Sequence, residues 1–278
     1  MSYILMDGRV IAKRIKQEIK DEIEKLDKKP TLVSIISGDN PATLTYVNSK
    51  KKVSEEIGIN FFVHSFPTSL SEEDLKEEIF KFSRDSNVNA IILEMPLPKN
   101  YNLINLASAI KINKDVDCMN PTNLGLLLCG KPLFYPSTPL SIMKLLSEYK
   151  VEISGKKACV IGRSTIVGKP ISLMLLAENA TVTMCHSKTN DLPSVTREAD
   201  IVVSAIGRAE MIDSSFVKKG ATVIDVGINV VSDKIVGDVK FSEVAELASY
   251  ITPVPGGVGA LTTVMILSNT LEAYKMQA

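Results

Sequence analysis

The segment PATLTYVNSKKK places Tyr46 and Lys50 four residues apart, on one face of a helix, with Thr43 one turn earlier. An amine beside a phenol offers a means of moving protons, although a lone Tyr-x-x-x-Lys is more often an exposed amphipathic face. Short-chain dehydrogenases carry the same pattern downstream of their nucleotide-binding turn. Here it lies far upstream of the turn at Gly162, and that order excludes them.

KKACVIGRSTIVGKP reads as a strand, a glycine (Gly162), a second glycine six residues on (Gly168) and an apolar helix. A glycine at a strand end lets the chain turn tightly and aims helix N–H groups at an anion such as a dinucleotide pyrophosphate. The usual G-x-G-x-x-G is absent, because Ser164 stands where the second glycine would be. The glycines alone therefore leave dinucleotide binding and a plain βα turn both open. The next strand adds a second clue. An NAD site has Asp or Glu there, about 20 residues on, for the ribose 2′-hydroxyl. TVTMCHSKT ends instead in His186, Ser187, Lys188 and Thr189, and Arg163 follows the first glycine. Hydroxyl, ammonium and guanidinium groups suit a 2′-phosphate, which favours NADP. Val167 lies within the turn, Gly207 closes VVSAIG, Ile228 sits in DVGIN, and Pro255, Gly256 and Gly257 form the loop PVPGGVG. All are at the strand ends where open α/β sheets bind ligands.

The elements that must hold these residues follow from periodicity. Val10, Ile11, Ile15, Ile19, Ile23 and Leu26 recur at three and four residues, predicting a helix over 8–28 that stops before Pro30. TLVSII, NFFVHSF and NAIILEM read as strands, separated by a helix opened by Asn40-Pro41 and another capped at Ser71. A second alternation runs through KKACVIG, ATVTMC, ADIVVSAIG and GATVIDVGIN. Strand and helix alternation implies parallel sheets. The expected fold is two α/β domains with parallel sheets and a cleft between them, the second domain a Rossmann-like NADP-binding domain. Residues 1–139 plus a C-terminal helix, 262–278, would form the substrate domain, and 140–261 the nucleotide domain.

The 278 residues suit two modest domains. Lys plus Arg number 32 and Asp plus Glu 32, so no basic excess advertises nucleic acid as a partner. Apolar runs such as ISLMLLA fall far short of the ~20 residues that span a bilayer. The opening MSYILMDGRV has neither a basic start nor an apolar signal core, which predicts a cytoplasmic protein. Cys118, Cys129, Cys159 and Cys185 are scattered with no C-x-x-C pair, and only His64 and His186 offer imidazoles. No metal is expected, and the thiols read as reduced and at least half-buried.

LEMPLPKN, KDVDCMNPTNLG and FYPSTPLSI are polar or proline-punctuated segments that a core would not require. Taken in order with GRSTIVGKP, CHSKT, DVGIN, GDV and ITPVPGGVGALT, they resemble, over nearly the whole chain, the bifunctional methylenetetrahydrofolate dehydrogenase/methenyltetrahydrofolate cyclohydrolases. The resemblance implies that Lys50 is the catalytic lysine, that Tyr46 packs on the aromatic part of the folate and that Asp117 bonds the pterin ring. It sets Arg163, Ser164 and Ser187 near the NADP ribose and its 2′-phosphate, and Gly257 with its neighbours over the substrate. It also implies a homodimer formed through the nucleotide domains.

Four departures from the family pattern stand out. Glu94 occupies the place of the usual Gln beside the lysine, Thr43 replaces Ser, Cys118 replaces Gly, and Ala260 replaces Pro. Oxidising a methylene carbon held between two nitrogens yields an amidinium-like cation without any proton transfer, so that step needs positioning. Hydrolysis of the methenyl product does need a proton shuttle such as Lys50. An anionic neighbour favours the ammonium and weakens Lys50 as a base. The expectation is an intact dehydrogenase and a cyclohydrolase that is either slower or uses Glu94 as a proton partner of Lys50. The alternatives are a dehydrogenase without useful hydrolase activity and a nonenzymatic NADP-binding sensor, which has no need of Lys50 or Asp117. A hydroxy-acid dehydrogenase is a weaker rival, lacking its usual proton carrier.

Overall fold

The computed structural model describes residues 3–278, so the first two residues of the amino-terminal reading lie outside it. Along the chain, β1 (Ile4–Leu5) and α1 (Gly8–Ile23) precede β2 (Thr31–Ser37), α2 (Pro41–Ile57), β3 (Asn60–Phe66), α3 (Glu72–Arg84) and β4 (Ala90–Leu93). Then come α4 (Leu103–Ala107), α5 (Pro121–Leu128), α6 (Ser137–Glu148), β5 (Lys157–Ile161), α7 (Gly168–Ala177), β6 (Thr181–Cys185), α8 (Leu192–Arg197) and β7 (Ile201–Ser204). The chain closes with β8 (Thr222–Asp225), the hairpin β9 (Asn229–Val231) and β10 (Lys234–Val236), α9 (Phe241–Val244), β11 (Tyr250–Ile251) and α10 (Val258–Lys275).

Two compact α/β units result. One comprises Arg14–Ser137 with Thr263–Ala278, and holds the parallel sheet β3-β2-β4. Its centre is the wholly apolar β4 and the buried Leu32, Val33, Ile35 and Ile36 of β2, the pattern of a strand covered on both faces. Ile15, Ile19 and Ile23 of α1 are buried, at the spacing that marks a core-facing helical stripe, whereas Val10 is 73% exposed and lies off the stripe. The helix ends at Ile23, not at residue 28, because Lys25 and Leu26 bond back three residues in a tightened last turn. Thr43 N–H donates to Asn40 Oδ1 over 3.4 Å, and Ser71 caps α3 by accepting from Asp74 N–H, so both expected helix starts carry their capping bonds.

The other unit contains the chain through Lys13 and Thr138–Thr262. Its six strands run in the order β1-β11-β8-β7-β5-β6, all parallel. The order reverses between β5 and β7, the switch point at which such sheets open a crevice at their carboxyl edge. β1 is the reason that the first residues belong here and not with the substrate domain: Ile4 and Met6 N–H donate to Ser249 and Ile251 carbonyls, both at 2.8 Å, completing the edge of β11. Two residues are too few for periodicity to reveal that partner. Cys118, Cys159 and Cys185 are buried and Cys129 is exposed, against the expectation that every thiol is at least half covered. Cys159 and Cys185 face each other across β5 and β6 with sulfurs 3.5 Å apart. Burial pushes the Cys159 thiol up, so it is a packing group.

Candidate active site

In the smaller sheet's unit, α2 and the carboxyl ends of β2 and β4 bring together the residues with proton chemistry. Glu94 directly follows β4, where its N–H still donates to Ile35 O at 2.9 Å. Lys50, from the middle of α2, reaches both Glu94 oxygens, Oε1 and Oε2, at 2.6 Å. Both side chains are almost wholly covered, at 3% and 6% exposure. Lys50 is therefore not part of a solvated amphipathic face. A buried charge of either sign is tolerated only with its partner and further hydrogen bonds. The further bond comes from Ser34 on β2, whose hydroxyl donates to Glu94 Oε1 at 2.6 Å. Ser34 was not singled out from sequence, although a hydroxyl inside the run TLVSII is the kind of polar intrusion that a packed strand does not need.

Tyr46 lies one helical turn before Lys50, which places the ammonium 4.6 Å from the ring centroid. Much of the ring remains open, at 41% exposure, so a planar ligand can stack there. Thr43 donates its hydroxyl to Met95 O and thereby ties α2 to the loop after Glu94. Asp117 joins this cluster. Its Oδ1 accepts from Ser137 N–H at 2.9 Å. Burial raises its carboxyl above the ordinary range, while Ser137 and Lys50 pull it down and Glu94 pushes it up. Asp115, two residues earlier, serves the backbone instead, accepting from Met119 N–H, Asn120 N–H and Asn123 Nδ2 at 2.8 to 2.9 Å. Desolvation pushes it to about 6. Among the described residues no group of three or more His, Cys, Asp or Glu is placed to hold a metal ion.

In the six-stranded unit, Gly162 has φ +129°, and a Cβ there would lie 2.4 Å from Ala205 O; one on Gly168 would lie 2.3 Å from Gly162 O. Helix α7 thus packs against the end of β5 as only glycine allows, leaving its amino end facing the carboxyl edge of the sheet. The Ser164 hydroxyl accepts from Val167 and Gly168 N–H at 3.1 and 3.2 Å, so it orders the turn that the missing glycine would have shaped. Beside this turn is a pocket of about 260 Å³ lined by Gly162, Arg163, His186 and Ser187, with Ala205, Ile206, Arg208, Leu192 and Met211 opposite. Lys188 does not line it; its N–H donates to His186 Nδ1 and shapes the loop. Gly207 takes φ +64° without lining it either.

Further along the same sheet edge, the ends of β8 and β11 enclose a pocket of about 330 Å³ that includes Ile228, Pro255, Gly256, Gly257 and Arg9. Ile228, expected at the cofactor, and the loop expected over the substrate therefore share one pocket, because both follow strands whose ends are neighbours in the sheet. Asp225 also lines this pocket, accepting from Gly227, Asp238 and Val239 N–H, and burial raises it to about 6. The glycine-shaped turn and the neighbouring pockets, lined by Arg163, Arg208 and Arg9, suit an extended anionic dinucleotide laid along one sheet edge.

Comparison with known proteins agrees with this geometry. Residues 6–117 match the family model for the catalytic domain of tetrahydrofolate dehydrogenase/cyclohydrolase, and residues 136–278 match that for its NAD(P)-binding domain. The bifunctional protein FolD of Ruminiclostridium cellulolyticum is 48% identical over 281 residues, covering 100% of this chain and 99% of that protein. The crystal structure of the FolD methylenetetrahydrofolate dehydrogenase/cyclohydrolase from Campylobacter jejuni superposes with a TM-score of 0.97 at 42% identity, covering 100% of both chains. That of the Trypanosoma brucei enzyme, complexed with NADP cofactor and inhibitor, gives 0.95 at 37% identity, covering 99% of this chain and 98% of that one. The chain belongs to the tetrahydrofolate dehydrogenase/cyclohydrolase family.

Proposed function

We propose that the Lys50–Glu94 pair is the proton shuttle of a bifunctional enzyme that oxidises 5,10-methylenetetrahydrofolate and hydrolyses the methenyl product to 10-formyltetrahydrofolate. The observation that carries this reading is the two-oxygen contact at 2.6 Å between a buried ammonium and a buried carboxylate, beside Tyr46 and Asp117. Bound NADP supplies the hydride acceptor for the first reaction. Gly162, Gly168 and the Ser164 turn hold its pyrophosphate at the start of α7, Arg163 and Ser187 hold the phosphorylated ribose, and Gly207 and Ile228 flank the rest. Tyr46 stacks on the folate ring system, Asp117 bonds the pterin, and Pro255, Gly256 and Gly257 border the substrate.

In the hydrolysis, Glu94 takes the Lys50 proton, and the neutral amine accepts a proton from the attacking water. The same amine then returns a proton to the ring nitrogen as its carbon–nitrogen bond breaks. The replacement of Gln by Glu gives the lysine an acceptor only 2.6 Å away, which favours an active cyclohydrolase with Glu94 as partner over a silenced one. Positioned acid–base groups contribute roughly 10²–10⁴-fold in rate.

The test is a time course of NADPH, methenyl and 10-formyl products from 5,10-methylenetetrahydrofolate and NADP, with NAD as control. NADPH and formyl product rising together supports the reading, while methenyl decaying only at its uncatalysed rate overturns the hydrolase. Lys50→Ala should lose hydrolysis by at least 10²-fold and keep most hydride transfer; equal loss of both would end the assignment. A homodimer through the nucleotide-binding unit belongs to the same reading. Its support is the exposed apolar Val230 (72%) and Val231 (47%) on β9, and sedimentation against concentration measures it. No helix among the described residues is long and apolar enough to cross a membrane.

A further inference from the structure

The segment GDV (237–239) belongs to neither pocket, yet its aspartate is the most heavily engaged carboxylate in the nucleotide-binding unit. Asp238 is fully buried. Its Oδ2 accepts from Ile206 N–H at 2.8 Å, Gly207 N–H at 3.2 Å and the Ser204 hydroxyl at 3.2 Å. Its Oδ1 accepts from Arg208 N–H at 2.8 Å and Asn229 Nδ2 at 3.1 Å. Three successive amides of the loop after β7 thus converge on one carboxylate. Asp238 is itself held in place, because its own N–H donates to Asp225 Oδ1 at 2.9 Å. The loop so pinned carries Arg208 into the pocket beside the Gly162 turn, where Arg163 enters from a different strand end. That pocket is lined by two arginines and no acidic residue, together with the apolar Ile206, Leu192 and Met211. A flat base against an apolar wall with a dianion between two guanidinium groups describes a phosphorylated nucleoside.

We propose that Arg208 is a specificity-determining residue for the 2′-phosphate of NADP and that Asp238, which does not touch the pocket, is the positioning residue that aims it. This rests on the assignment of that pocket to the adenosine end of the cofactor. An asparagine at 238 offers one acceptor where the native side chain offers two, so one group of donors, on the Oδ1 or the Oδ2 side, is left facing an NH₂.

The experiment titrates the full chain with NADP and with NAD. Arg163→Ala is the control for the pocket: it should weaken NADP about tenfold or more and leave NAD within about twofold. Arg208→Ala should do the same, Asp238→Asn should reproduce that loss of preference, and the double variant should lose little beyond either alone. If Arg163→Ala abolishes the preference and Arg208→Ala leaves it intact, the proposal falls while the pocket assignment stands. If Arg163→Ala has no effect, the pocket assignment itself falls. Full additivity of Asp238→Asn and Arg208→Ala would show that Asp238 does not act through Arg208. Asp238→Glu, which keeps the charge and shifts it by one methylene, supplies the same reading if the asparagine variant does not fold, and Arg208→Ala, at an exposed residue, decides if neither folds.

Discussion

Glu94 in one unit and Asp225 and Asp238 in the other are buried in opposite ways, and Asp115 of the substrate unit, held by Met119 and Asn120 N–H, follows the second pattern. Glu94 is neutralised by a side-chain cation and one hydroxyl, whereas Asp225 and Asp238 are surrounded by backbone amides. A carboxylate paired with an ammonium has a partner that can exchange a proton with it. One paired with amide N–H groups has partners that cannot give theirs up, so its effect is to hold the chain in place. The first arrangement suits a chemical step and the second suits the loops of a binding site.

Breaking the ion pair gives the largest expected effect. Glu94→Ala leaves the Lys50 ammonium buried without its counter-charge, and urea unfolding should show a loss of about 3 to 5 kcal/mol. A loss under about 1 kcal/mol would mean that water reaches the ammonium and the pair is not a closed shuttle.

Titration sharpens the contrast on the other side. Burial raises Asp225 from 3.8 to about 6. The folded chain therefore keeps a proton that the unfolded chain releases, so this contribution to stability is fully present below about pH 4 and is lost as pH rises through 6. The size is about 2 to 3 kcal/mol. Unfolding free energy measured from pH 4 to 7 should fall for the wild type relative to Asp225→Asn, and parallel curves would show that the amide bonds outweigh desolvation.

Glycines near these carboxylates give the next effect. A Cβ at Gly237 would lie 1.7 Å from Asp225 Oδ2, and that oxygen is pinned by Val239 N–H. Gly237→Ala should cost about 1 to 3 kcal/mol and weaken NADP binding. The smallest effect has the opposite sign. Gly125, exposed in α5 with nothing within 4 Å of an added Cβ, should gain about 0.5 to 1 kcal/mol on replacement by alanine, read as a rise in Tm.

Much of the fold was legible because its elements are long relative to their period. The strands β2, β3 and β4 and the strands β5, β6, β7 and β8 of the larger sheet are β-branched runs bounded by turn residues, and the caps at Asn40 and Ser71 act over three residues. The strand before PVPGGVG, β11, was expected only from the loop that closes it, and β1 and the β9–β10 hairpin carry no such signal. Each has only two or three residues, and only its neighbour in the sheet makes it a strand.

The site divides along the same line. Residue types and spacing were enough to single out Tyr46 and Lys50, the turn at Gly162 and Gly168, and the phosphate-binding character of Arg163 and Ser187, because each signal lies within one short segment, whereas Glu94 and Asp117 stood out only through the resemblance to the family. Only tertiary structure decided that Lys50 is buried, that Ser34 orients Glu94 across 60 positions of sequence, that Ile228 and Gly257 share a pocket, and that Asp238 holds the Arg208 loop. These depend on which strand ends become neighbours and on how much water is excluded there. Both follow from the packing of whole sheets, which no local spacing encodes.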